Sequence, residues 1–258
     1  MRTLTLVLAL VGLMVLAPVR AQTADEIINV YFEKVGGLEN LKALKGVKIS
    51  ASLNQQGMII PMEIVRLSDG RQATSFSVQG LTFNQETYDG TNLWGHNLMT
   101  QLPEKMDAET THNFALNTKD FPDPFVNYKE KGYTATLVGK DTIDGTEAFE
   151  IKLTKVPLTV DGKEEESVAY YFFDAENYVP IAMRGEIKMG PAKGMTQEIT
   201  FGDYQEVGGL YFAHSMIVGV TGQPMKVPIT IETIELNPTV EDAVFTFPET
   251  TATEEKKD

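Results

Sequence analysis

The chain has 258 residues, 36 acidic against 22 basic side chains, a formal net charge of −14 and no cysteine. That balance argues against nucleic acid as a partner and against attraction to anionic headgroups through the average surface. The lack of thiols removes disulfide frameworks, thiolate catalysis and the acylated cysteine of a lipoprotein anchor.

Met1-Arg2, the apolar run from Leu4 to Pro18 and the small-residue exit Val19-Arg20-Ala21 read as a cleavable secretory signal. The mature chain is then expected to start at Gln22 and to work in the periplasm, as a soluble protein. Removing those 21 residues takes two basic side chains and no acidic one, which leaves 237 residues and a charge of −16. The expected organisation is one domain over residues 22–249, followed by a disordered mixed-charge tail at 250–258 with Glu254-Glu255-Lys256-Lys257.

From Thr23 to Val35, the apolar residues Ile27, Ile28, Tyr31 and Val35 recur at helical spacing, with Thr23 or Asp25 as N-cap and Gly36-Gly37 as the stop. Leu38, Leu41 and Leu44 predict a further helical turn closed by Gly46. After Gly46 the period becomes two. Met58, Ile60, Met62 and Ile64 alternate with Ile59, Pro61, Glu63 and Val65; Phe149, Ile151 and Leu153 alternate with polar neighbours; Ile181, Met183, Ile187 and Met189 do the same. Asp-Gly pairs at 69–70, 89–90, 144–145 and 161–162 predict tight hairpins. Further alternating runs bring the expected total to about ten or eleven antiparallel strands. Residues 102–127 break the pattern with Pro103, Pro122 and Pro124, and read as a helical insertion, with the helix between Glu104 and Leu116, lying against the sheet. The fold expected is mainly β: a single strongly curved antiparallel sheet, an incomplete barrel, covered by the N-terminal helix and this insertion.

Signals for chemistry are sparse. His96, His112 and His214 are the three histidines, without metal-ligand spacing, and no nucleophile elbow or phosphate-binding glycine pattern is present. No metal, cofactor or catalytic residue is expected, and the chain is read as a non-enzyme. His214, in phase with Leu210, Phe212, Met216 and Val218, reads as a neutral hydrogen-bonded histidine on the apolar face. The methionines at 58, 62, 183, 189, 195 and 216 fall on predicted inward faces. They suit soft acyl chains, although periodicity fits a packed interior equally well.

Several segments together resemble the LolA/LolB-like family, in its outer-membrane lipoprotein-sorting branch. They are Ile28 to Leu44, Tyr88-Asp89-Gly90 with Trp94, Lys131-Gly132-Tyr133 through Lys140 to Asp144-Gly145, Tyr171-Phe172-Phe173-Asp174 with Pro180, Tyr204 to Leu210, and Asn237-Pro238 to Phe245-Thr246-Phe247-Pro248. The resemblance implies an incomplete barrel closed by helices, whose apolar cavity carries acyl chains of lipoproteins or other lipids towards the outer membrane, between an inner-membrane donor and an outer-membrane acceptor. The expected lining is Met58, Ile60, Met62, Ile64, Phe76, Trp94, Ile181, Met183, Phe212 and Met216, in a monomer. The alternative reading is a periplasmic partner-binding or sensor domain that uses the same fold without transport.

Overall fold

The computed structural model describes residues 22–248, so the expected secretory signal and the whole of the expected tail lie outside the described residues. Helix α1 spans Ala24–Lys34, α2 Leu38–Lys42 and α3 Ala108–Thr118. The strands are β1 Gly46–Gln55, β2 Met58–Leu67, β3 Gln72–Val78, β4 Leu81–Tyr88, β5 Leu93–His96, β6 Pro103–Lys105, β7 Thr134–Ile143, β8 Thr146–Val160, β9 Lys163–Asp174, β10 Pro180–Glu186, β11 Thr196–Val207, β12 Leu210–Val220 and β13 Lys226–Leu236. All belong to one 13-stranded sheet of order β6-β5-β4-β3-β2-β1-β13-β12-β11-β10-β9-β8-β7. Every pairing is antiparallel, and the first strand pairs with the last. The count exceeds the ten or eleven expected because short strands carry too few residues to show a period; β6, of three residues, lies inside the stretch read as insertion.

Curvature follows from the contacts of α3, which packs against both β5 and β8. Those strands stand second and twelfth in the sheet, about 48 Å apart if it were flat at roughly 4.8 Å per strand. Eleven residues of helix reach only about 16 Å. The sheet must therefore curl until its ends approach the same helix, while β6 and β7 stay unpaired with each other. Helix α3 lies between these two edge strands in sequence and acts as a strap across the concave side.

Helix α1 fills one part of that concave side. Thr23 caps it through a capping box with Glu26, while Asp25 turns outward to accept from the Tyr128 hydroxyl and from Lys129 Nζ at 2.6 Å. Its apolar stripe of Ile27, Ile28, Tyr31 and Phe32 packs with Phe125, Ile151, Leu153 and Phe173 in the largest core cluster. Tyr31 and Phe125 both meet Phe173 nearly edge-on, at ring separations of 5.4 Å. The helix ends at Gly36, whose φ of 105° requires glycine, and the backbone there touches the Gly208-Gly209 turn between β11 and β12. Tyr211 N donates to Val35 O at 3.0 Å beside this contact.

A buried carboxyl fastens the loop after α3 to α1. Asp123 accepts from the Tyr31 hydroxyl and from Phe125 N, each at 2.8 Å. Burial holds its pKa above the ordinary carboxylate value of 3.8. A folded-state pKa raised above the unfolded value gives stability that is present at acid pH and lost as pH rises through the folded pKa. Asp123→Asn keeps the acceptor oxygen for Phe125 N, presents an amide N–H to the Tyr31 hydroxyl, which can turn to accept it, and removes the ionisation. Its stability relative to wild type is expected to improve as pH rises above the ordinary carboxylate value of 3.8 and through the raised folded pKa, as thermal melts across that range would show; a constant offset throughout would contradict the assignment.

The predicted Asp-Gly turns all form, but only Asp144-Gly145 and Asp161-Gly162 have positive φ at both residues, as type I′ requires. Gln56-Gly57 and Gln79-Gly80 have it too; the sequence signal is weak there because glutamine lacks the short side chain that favours the left-handed region.

Candidate functional site

Strand register assigns each side chain to a face. Val47 and Ile49 of β1 pack with α1 on the concave face, and their partners Arg66 and Ile64 on β2 share that face. Two steps further along, Ala51 pairs with Met62, Leu53 with Ile60, and Met62 with Phe76 of β3. On the other side of β1, Leu53 faces Ile229 of β13, Ile229 faces Met216 of β12, and Met216 faces Phe201 of β11. A second row runs from Met183 of β10 through Ile199 and Val218 to Val227. The concave face of seven successive strands, from β3 through β1 and β13 to β10, thus carries apolar side chains in neighbouring rows.

These side chains are not packed away. Leu53, Met62, Ile64, Phe76, Met183, Ile199, Phe201, Met216, Val218 and Ile229 are all only half-buried, although they lie in the middle of the sheet and beneath a helix. None belongs to a buried core cluster. Helix α1 covers a different part of the face, and the strap α3 buries only Asn113 and Thr118 of its own residues. A half-covered apolar floor under a helical strap has the shape and polarity of an apolar cradle.

The strap is held at its first turn and at its middle. Asn113 donates to Thr159 O at 2.6 Å and accepts from Thr159 N at 2.9 Å, both on β8. The two carboxylate oxygens of Glu109 accept from Asp161 N and Gly162 N at the β8–β9 tip, each at 2.9 Å. Phe114 leans on Tyr88 of β4 at the other side. Glu109→Ala removes two charge-assisted hydrogen bonds and is expected to cost about 1–3 kcal/mol locally. Amide exchange in α3 should accelerate while the β1–β13 core stays protected; uniform acceleration would show that the contact is not a local clasp.

Polar groups interrupt the cradle near its inner end. Arg66 points to the concave side and remains exposed, yet it is enclosed enough for burial to lower its pKa, against the attraction of Asp120 and Glu86. Glu86, on β4 opposite Thr74, has its pKa raised by burial and lowered by Arg66. Sequence reading left both out of the lining because charged residues there look like solvated face positions.

The expected lining residues separate into groups. Ile60, Met62, Ile64, Phe76, Met183 and Met216 come together on the concave face, and Phe212 lies on the same face at the margin of the α1 cluster. Met58 has the right face but sits beyond the rim, 53% exposed. Two residues are corrections. Trp94 pairs with Thr87, Thr87 with Ala73 and Ala73 with Val65, which puts Trp94 on the convex face. There it is buried beneath residues 243–248, donating from Nε1 to Phe245 O at 3.0 Å and meeting Phe247 edge-on. Ile181 occupies an irregularity between Pro180 and Ala182 in the pairing with β9, and packs instead with Ala182, Phe172 and Ile143.

His214 is buried, with Nδ1 3.0 Å from Phe212 O, a contact in which the ring nitrogen must donate. His96 Nδ1 accepts from Asn84 N at 3.0 Å. Among the described residues, no group of three or more His, Cys, Asp or Glu side chains is arranged to hold a metal ion, and no helix is long and apolar enough to cross a membrane.

The sequence matches no protein-family model and no curated protein. Solved structures do match in shape. A DUF1329 family protein from Desulfovibrio piger superposes with a TM-score of 0.53 at 13% identity, covering 86% of this chain and 97% of its own. A LolA superfamily protein from Nitrosomonas europaea gives 0.53 at 11% identity over 88% and 98% of the two chains. An outer membrane lipoprotein-sorting protein domain from Vibrio parahaemolyticus gives 0.51 at 13% identity over 85% and 94%. At these identities the likeness establishes fold alone. The chain has a LolA-like fold, mainly β, built on one curved antiparallel sheet that does not close.

Proposed function

We propose that the chain is a periplasmic carrier that shelters the acyl chain of a lipid or lipoprotein on its concave face during transfer towards the outer membrane, without chemistry of its own. The observation that carries this reading is the half-buried apolar ladder Leu53–Ile229–Met216–Phe201, which continues from the buried Ile60. Burying a methylene there gains about 0.8 kcal/mol, so eight sheltered methylenes supply roughly 6 kcal/mol before the cost of ordering the chain. The lipoprotein-sorting description of the Vibrio parahaemolyticus neighbour supports the substrate class, and the export signal read at residues 1–21 supports the compartment.

Native mass spectrometry with lipid extraction, on the chain recovered from a bacterial periplasm, tests the proposal. A stoichiometric lipid or acylated peptide supports the carrier. A clean mass that stays unchanged on incubation with phospholipids and lipopeptides would sink it and favour a partner-binding domain.

A further inference from the structure

The antiparallel order sends the turns of the sheet to two opposite ends. The β1–β2, β3–β4, β5–β6, β8–β9, β10–β11 and β12–β13 turns emerge at one end; the β2–β3, β4–β5, β7–β8, β9–β10 and β11–β12 turns emerge at the other. Of the fourteen exposed large apolar side chains among the described residues, nine sit at the tips of the first end. Six of these belong to three neighbouring hairpins: Met58 and Ile59 on β1–β2, Leu81 on β3–β4, and Leu98, Met99 and Leu102 on β5–β6. Met99 is 94% exposed and Leu98 68%. Six adjacent strands place the three tips along a line of about 24 Å.

Charge is absent from these three tips, although the β8–β9 tip at the same end carries Asp161, Lys163 and Glu164. Residues 54–62, 75–85 and 97–103, which form these tips, contain no Asp, Glu, Lys or Arg. At the chain's 22% charged content, 27 residues would hold about six. The opposite end turns on Asp69, Asp89, Asp144 and Asp174. An acidic protein is repelled by most membrane surfaces, and this is the stretch of its surface from which that repulsion is missing. The apolar groups stand on separate protruding fingers rather than in a groove. A rigid protein partner would need a matched hollow for each finger, whereas lipid acyl chains yield around them.

We propose that the β1–β2, β3–β4 and β5–β6 hairpin tips dock the protein onto a phospholipid bilayer, inserting Met58, Ile59, Leu81, Leu98, Met99 and Leu102 into the interface. With no ionised group at the tips, docking is driven by apolar burial and is insensitive to salt. Flotation of the processed chain with phosphatidylcholine vesicles tests this. Wild type should float equally at low and high salt. The triple variant Ile59→Asp, Leu81→Asp, Met99→Asp should float at least about tenfold less. A control triple at the acidic end, Gln205→Asp, Tyr211→Asp, Thr239→Asp, should float like wild type, and unchanged thermal melts exclude misfolding. No flotation of wild type, or equal flotation of the tip variant, overturns the proposal. A concentration-dependent dimer that ignores vesicles and vanishes in the tip variant also overturns it, and gives the tips to a second copy. A cradle-blocked Met216→Glu chain should float normally, so failure of the carrier reading and failure of docking are told apart.

Discussion

Met216→Glu is expected to reduce acyl-chain binding by at least about 100-fold, or roughly 3 kcal/mol, while leaving the fold intact. Met216 lies at the centre of the ladder, between Ile229 and Phe201. It is half-buried in the free protein, so a carboxylate there can stay hydrated until a ligand covers it. Covering it costs several kcal/mol, by desolvation of a charge with no partner. Titration with a fluorescent fatty acid measures the effect. Ser215→Glu, one residue along and exposed on the opposite face, should bind like wild type, and Met216→Leu should restore most of the affinity. Equal losses in the two glutamate variants would mean that net charge, not the cradle, decides binding.

Gly36→Val is expected to be the most damaging single change to stability, at about 3–5 kcal/mol. The backbone at Gly36 has φ of 105°, which a β-branched residue strongly resists, and an added Cβ would lie 2.0 Å from Gly209 O. The obstacle is a carbonyl in the β11–β12 turn, not a side chain that can swing away. Relief requires α1 to lift from the sheet, which would uncover Phe173 and Ile151 together. Denaturant unfolding followed by Trp94 fluorescence gives the midpoint shift. A loss below 1 kcal/mol would show that the helix and the turn are not rigidly docked.

Much of this architecture is legible in the sequence because alternation is a local property. The helical period from Ile27 to Val35 and the period of two along Met58 to Val65 need no distant contact to appear. Faces are harder. Trp94 lies in a four-residue strand with no period of its own, and only the chain of pairs through Thr87 and Ala73 places it on the convex side. Ile181 is in phase with Met183 in the sequence, but an irregularity at Pro180 breaks that phase in the structure. Ile199, Phe201 and Ile229 joined the cradle without being singled out, since their role depends on which strands become neighbours. The charges on Arg66 and Glu86 concealed their inward direction.

The pairing of β1 with β13 has a consequence for when the cradle comes into existence. Residues Val47 to Leu53 meet Leu236 to Ile229 across nearly the whole described chain. Each arm of the sheet, β1 to β6 and β7 to β13, can zip up from adjacent hairpins, but the join between the arms must wait for a long loop to close. The apolar row crosses that join at Leu53 and Ile229. Neither arm alone carries the whole row, so an acyl chain bound as proposed would staple the first strand to the last. On the proposed carrier reading, cargo would therefore raise the unfolding midpoint with the logarithm of its free concentration, and a chain still half-folded would have no complete surface on which to take it up.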